Sequence, residues 1–162
     1  MSPRSDAMTH VHRPAYDLLT HELLLVVRVR EPSPQLIREV ISAAAELHAA
    51  RGEQAVFVAI IGVESTPPDA KTREQAKHIF DELFAHVQEL RIVHPGTGLR
   101  LTILRSITAT MTLIAGMRGH PFFADRNISD LLSALVQRHS VDADGLSKRL
   151  LATGMLSPDE LA

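Results

Sequence analysis

The chain has 162 residues, 45% of them apolar and 22% charged, which is the composition of a single globular domain. It contains no cysteine, so disulfides, thiolate zinc sites, iron–sulfur clusters and cysteine nucleophiles are excluded. A formal net charge of −2 and an aromatic content of 4% argue against binding to nucleic acid.

The start of the chain is predicted to contain a mobile tail and a pair of strands. Residues 1–14 show no apolar period, so we expect a disordered tail there. The apolar run within Glu22–Arg30 predicts a strand that is buried on both faces at its start. Tyr16–Leu19 predicts a shorter strand that pairs with it through a turn at Thr20 and His21.

A helix and an apolar strand are predicted next. Ser33 is placed to cap the helix, Pro34 suits its first position, and Gly52 provides its end. Ala55–Ile61 (AVFVAII) is apolar, rich in β-branched residues and too short for a helix, which is typical of a central parallel strand.

A second helix is predicted to begin in a proline-rich segment. Thr66 is expected to cap it, with Pro67 and Pro68 in its first turn. Apolar residues at helical spacing give it a core face that continues through Ile79, Phe80, Leu83, Phe84, Val87 and Leu90. A short strand at residues 91–94 then leads into the turn Pro95-Gly96-Thr97-Gly98.

The rest of the chain is predicted to be mainly helical. Residues 99–117 alternate in part like a strand, but apolar residues three and four apart favour a helix that ends near Gly116. Whether residues 99–104 belong to a strand or to this helix stays open. Residues 120–124 predict a last short strand, and residues after Asn127 and after Val141 predict two further helical segments.

Strands that alternate with helices predict one α/β domain, with a four- to five-stranded mixed sheet covered by helices. We expect this domain to occupy residues 15–140, between the tail and a helical extension at residues 141–162. No apolar run is long enough to span a bilayer, and the first residues lack the apolar stretch of a signal peptide. A cytoplasmic location is therefore expected.

Two segments carry a resemblance to a known family: VFVAIIGVESTPPDA (Val56–Ala70) and LRSITATMTLIAGMRGHPFFADRNISDLLSAL (Leu104–Leu135). Together with the order of elements over residues 16–139, they resemble STAS-like domains. These domains are related to anti-sigma-factor antagonists and include the SpoIIAA-like/SEC14-like group. The resemblance implies a non-enzymatic regulatory module that needs no cofactor and acts on a protein partner in a signalling pathway.

One departure from that family concerns regulation by phosphorylation. The phosphorylated antagonists carry an Asp-Ser-Ser/Ala-Gly signature, whereas this chain has Glu64-Ser65-Thr66-Pro67 in the equivalent place. Phosphorylation by a partner kinase therefore does not carry over. Ser65 and Thr66 stay candidates for modification because a phosphate is favoured at a helix N-terminus, with helix capping as the competing explanation.

The expected working surface lies at the carboxyl ends of the strands, where open α/β sheets bind their ligands. The candidate partner- or ligand-binding residues are Glu64, Ser65, Thr66, Pro67, Asp69, Gly96, Thr97 and Gly98. Backbone N–H groups of the glycine-rich turn could hold an anion with help from Arg100 or Arg105, and a plain turn is the competing explanation.

Two alternative functions stay open. The chain could carry a small apolar ligand between the sheet and the threonine-rich third helix. It could be an enzyme that uses His94 or His120 with a carboxylate, although no nucleophile motif supports this. His10 and His12 could jointly bind a metal ion, but an ordinary surface tail is the favoured explanation, so no metal site is predicted. The oligomeric state is undetermined, and a homodimer is one option.

Overall fold

The computed structural model describes residues 9–161, apart from the side chains of Lys77 and Ala115. Within this range the strands are β1 (Thr9–His12), β2 (Tyr16–His21), β3 (Leu24–Val29), β4 (Ala55–Ile61), β5 (Val87–Val93) and β6 (Phe122–Asp125). The helices are α1 (Pro34–Arg51), α2 (Ala70–Phe84), α3 (Leu99–Met117), α4 (Ile128–His139), α5 (Ala143–Ala152) and α6 (Pro158–Leu161). The predicted α/β class is confirmed.

All six strands form one mixed sheet, in which each strand lies beside the next one in the chain. The β1–β2 and β2–β3 pairs are antiparallel, and the pairs from β3 to β6 are parallel. The expected count of four or five strands was too low, because β1 adds an edge strand within the segment expected to be a tail. Residues 1–8 of that expected tail lie outside the described residues.

The turn between β2 and β3 falls later than the sequence predicted. Thr20 and His21 pair with Leu25 and Leu24, so the strand continues through the predicted turn. The chain reverses after His21 instead, and Glu22 adopts a left-handed φ of 51° there.

Two apolar clusters cover the two faces of the sheet. On the first face, α1 and α2 pack against strand residues that include Leu25, Val27 and Phe57, and α3 contributes Met111. On the second face, α4, α5 and the carboxyl-terminal segment pack against the opposite side of the same strands. Their buried residues are Ile128, Leu131, Leu135, Leu146, Leu150, Met155 and Leu156. The segment expected to be an extension is therefore part of the second layer.

The first helix begins and ends as predicted. The Ser33 hydroxyl accepts a hydrogen bond from the Leu36 backbone N–H at 3.1 Å, and Pro34 occupies the first turn. Gly52 closes the helix in the left-handed conformation, with a φ of 73°. The sequence located both ends because the capping chemistry is local.

The predicted start of the second helix was wrong. Thr66 does not cap it; the cap is Asp69, whose Oδ1 accepts a hydrogen bond from the Thr72 backbone N–H at 2.7 Å. Thr66 and Pro67 each precede a proline, which disfavours helical backbone at the preceding residue. The helix consequently starts at Ala70, beyond both prolines.

Val87 and Leu90 belong to β5, although the sequence placed them on the second helix. Both side chains join the first apolar cluster. The β4–β5 register shifts at this point, since Ala55 pairs with Val87 while Val56 pairs with Glu89. This irregularity turns two residues three apart toward the same face, and that spacing also fits a helix. The structure places residues 99–104 within α3.

Candidate functional site

The predicted site residues lie on two neighbouring loops at one edge of the sheet. Residues 62–69 follow β4 and residues 94–98 follow β5, and these parallel strands are direct neighbours. A Cβ atom placed on Gly96 would lie 3.6 Å from Cγ1 of Val63, so the two loops contact each other. The structure thus brings both groups of predicted residues together. We call residues 63–69 and 96–98 the carboxyl-end surface.

The first loop exposes some candidate residues and buries one. Thr66 and Pro67 are exposed, and the Thr66 backbone N–H donates a hydrogen bond to the Arg30 carbonyl at 3.0 Å. Ser65 is fully buried, with 0% exposure, and its hydroxyl donates to the Thr66 carbonyl. Of the two candidate phosphorylation residues, Thr66 is the one that solvent reaches in this conformation. Asp69 is exposed and acts as the helix cap.

Arg105 fixes the second loop from α3. Its Nη2 donates hydrogen bonds to the carbonyls of His94 and Gly96, both at 2.8 Å. Gly96 and Gly98 have φ values of 103° and 125°, which L side chains rarely adopt. Because this guanidinium nitrogen already binds two carbonyls, the geometry favours a braced turn over an anion cradle.

A buried arginine lies beneath the first loop. Arg28 is 7% exposed, and its Nε and Nη2 donate to the two carboxylate oxygens of Glu64 at 2.7 and 2.9 Å. Its Nη1 donates to Glu160 Oε2 at 2.9 Å and to the Met155 carbonyl at 3.2 Å. A Cβ atom on Gly62 would collide with the ends of the Arg28 and Glu64 side chains, so a larger residue there would displace this pair. Arg28 therefore joins the first loop to the carboxyl-terminal segment.

The ionisation of this cluster follows from its pairing. Burial alone would raise the pKa of Glu64, but hydrogen bonds from Arg28 outweigh it and hold that pKa below its usual value. Burial alone would lower the pKa of Arg28, and the carboxylates of Glu64 and Glu160 reverse this effect. Arg28 and Glu64 are therefore both charged at neutral pH and form an ion pair.

His94 is enclosed between β4 and α3. Its Nδ1 lies 3.1 Å from the Ile61 carbonyl, which can only accept, so Nδ1 carries the proton and donates. Its Nε2 then accepts from the Thr108 hydroxyl at 2.7 Å. Burial, together with the nearby charge of Arg105, holds the pKa of His94 below its usual value. His94 is thus a neutral structural histidine that ties α3 to the sheet.

A second charged cluster lies between β5 and α4. Glu89 is 1% exposed and accepts hydrogen bonds from Arg91 at 2.7 Å and Arg138 at 2.6 Å, with His139 Nε2 at 3.1 Å. Burial alone would raise the pKa of Glu89, but these donors lower it. Arg91 also donates a hydrogen bond to Oδ1 of Asp125. Burial raises the pKa of Asp125, and its Oδ2 has no hydrogen-bond partner.

The remaining histidines that were considered are also held by protein groups. His10 and His12 both contact Asp17, which is 3% exposed and also binds Arg30. His120 contacts Asp81 at 2.8 Å on the surface. Across residues 9–161, no cluster of three or more His, Asp or Glu residues is arranged to hold a metal ion.

The sequence pattern revealed neither the buried charge of Arg28 nor its partly buried partner Glu160. The alternation Arg28-Val29-Arg30 predicted a strand end with one face exposed to solvent. In fact Arg28 lies two residues beyond Val26, and strand periodicity therefore turns it toward the second apolar layer. Its partner Glu160 is 132 residues away, and no local pattern joins the two.

No family model, curated protein or solved structure matches the chain. In the part of the chain that the structure describes, no helix has the length and apolar character needed to cross a membrane.

Proposed function

We propose that the protein is a non-catalytic, STAS-like regulatory module that binds a protein partner through the carboxyl-end surface. The observation that carries this proposal is the contact between two exposed loops, each held by a buried or half-buried arginine. A surface that is fixed before binding loses little conformational freedom when a partner docks. Val63, which is 51% exposed, supplies an apolar contact at its centre.

The pairing of the ionisable groups supports a role without chemistry. The carboxylates of Glu64 and Glu89 are held ionised by arginines, and the His94 ring donates to one protein group and accepts from another. A general acid or base needs a free position toward a substrate and a pKa near the working pH. These three groups are committed to structural bonds instead.

The competing proposal, a carrier of a small apolar ligand between the sheet and α3, has less support. The two cavities that we describe, of about 370 and 530 Å³, lie at the amino ends of the strands and between α1 and α2. Neither is lined by α3, and Leu113 and Met117 of that helix are exposed to solvent. Native mass spectrometry separates the proposals, since a lipid that co-purifies with the protein would favour the carrier.

A capture experiment tests the proposed surface. Thr66→Arg adds a bulky cation to the exposed first loop, whereas Ala50→Arg adds the same group to the exposed end of α1. Partners captured from extract of the native cells by the unmodified chain and by Ala50→Arg should be lost with Thr66→Arg. Melting temperatures of all three chains serve as the folding control. An unchanged partner set for Thr66→Arg would contradict the proposal.

A further inference from the structure

Helix α3 exposes an apolar stripe on the side that faces away from the sheet. Its buried side is formed by Leu101, Leu104 and Thr108, which are 0 to 4% exposed, so the helix is firmly seated. Leu99, Leu113 and Met117 nevertheless have exposures of 78%, 67% and 81%. Monomers rarely expose a continuous apolar patch unless it has a binding role.

The stripe has the spacing of a helix–helix seam. Its residues recur alternately four and three apart, which is the 3.5-residue period by which one α-helix packs along another. They are Leu99, Ile103, Ser106, Thr110, Leu113 and Met117, all exposed. We call this set the α3 seam.

The α3 seam reads nearly the same from either end. Around its midpoint at residue 108, Leu99 corresponds to Met117, Ile103 to Leu113, and Ser106 to Thr110. The correspondence matches long apolar with long apolar and small hydroxyl with small hydroxyl. A twofold axis requires a surface that is complementary to itself, and an antiparallel pair of identical helices would place these residues opposite one another.

The hydroxyls and charges on α3 fit the same arrangement. Ser106 donates to the Thr102 carbonyl and Thr110 to the Ser106 carbonyl, both at 3.1 Å, so both donors remain satisfied if the seam is covered. Antiparallel pairing brings the exposed Arg100 beside the carboxyl end of the other α3, where the helix dipole favours a cation.

We propose that the α3 seam binds a second copy of this chain, as an antiparallel pair of α3 helices about a twofold axis near residue 108. A helix of this length is about 28 Å long, so the seam buries less than the ~800 Å² per protomer of a standard interface. The dimer is therefore weak and reversible, with a dissociation constant on the order of 10–100 μM.

Sedimentation velocity over about 1–500 μM tests the dimer, a range that brackets the expected dissociation constant. Leu113→Glu should weaken association at least tenfold, because it places a carboxylate against Ile103 of the other copy. Val136→Glu is the matched control, since Val136 is 44% exposed on α4, in the other layer, and this change should leave association unaltered. Circular dichroism confirms that both variants fold. A chain that stays monomeric throughout, or equal effects of the two variants, would overturn the proposal.

Cysteine cross-linking tests the register, because the chain has no cysteine of its own. A mixture of Ser106→Cys and Thr110→Cys chains should oxidise mainly to the mixed covalent dimer, identified by its mass. Leu99→Cys alone should give none, because the two copies of residue 99 would lie about 27 Å apart. A covalent Leu99→Cys dimer would overturn the antiparallel register. Binding of a monomeric chain to phosphatidylserine vesicles, lost in Leu113→Glu, would overturn the proposal by assigning the seam to a lipid surface.

Discussion

Replacing Arg28 by methionine tests how much the buried cluster of Arg28, Glu64 and Glu160 stabilises the fold. The substitution keeps most of the apolar stem and removes the cation that binds Glu64 and Glu160. Removing one partner of a buried ion pair costs about 3–5 kcal/mol when the other charge stays buried. The carboxylate side chains are 38% and 17% exposed, so they can turn toward water and recover part of this cost. We therefore expect a loss of about 2–3 kcal/mol in the free energy of unfolding.

Urea unfolding followed by far-ultraviolet circular dichroism measures this loss. For a chain of this size, each kcal/mol corresponds to a decrease in melting temperature of about 2–4 °C. Arg126→Met is the control, because Arg126 is 88% exposed and its pair with Asp130 lies on the surface of α4. An exposed pair of this kind contributes about 0.5 kcal/mol or less. If the two variants were equally stable, the bonds of Arg28 to Glu64 and Glu160 would not stabilise the fold. Our conclusion that Arg28 holds the first loop would then be wrong.

Three further predictions concern other parts of the fold. Because the pKa of His94 lies below its usual value of 6.5 in the folded chain, the unfolded chain takes up the proton first as the pH falls. The free energy of unfolding should therefore decrease as the pH is lowered below about 6.5. If the unfolding free energy of His94→Gln depended as steeply on pH as that of the unmodified chain, this prediction would be contradicted. Glu89→Gln should cost about 2–4 kcal/mol in urea unfolding, since Arg91 and its neighbours lose a buried counterion, and a loss below about 1 kcal/mol would refute that role. Ser33→Ala should cost about 1 kcal/mol and speed amide exchange at Leu36, and unchanged exchange there would exclude the cap.

The sequence predicted those elements whose signals are local. The cap and the stop of α1 and the apolar strand β4 follow from residues that lie next to one another. Helix α3 was predicted because its apolar residues from Ile103 to Ile114 keep a helical spacing, whereas the assignment of residues 99–104 stayed open. In each case the deciding interaction spans only a few residues, so a pattern along the chain contains it.

The elements that were missed depend on contacts between distant segments. Strand β1 gains its place by pairing with β2, and its own four residues carry little apolar signal. The irregularity in the β4–β5 register gave Val87 and Leu90 a spacing that also fits a helix, so Val87 was assigned to the second helix. In the candidate site, the contact between the two loops could be predicted because the loops follow two neighbouring parallel strands, β4 and β5. The burial of Ser65 was not predicted, and neither was the buried Arg28, whose partner Glu160 is 132 residues away.

The strand order has a consequence for how the chain reaches its native state. Each strand after β1 pairs with the strand that precedes it in the chain, so no pairing in the sheet joins segments further apart than one helical crossover. The bond between Arg28 and Glu160 closes a loop of 132 residues and can form only after the second layer has docked. We therefore expect this contact to form late in folding, so that substitutions at Glu160 accelerate unfolding and leave the refolding rate nearly unchanged.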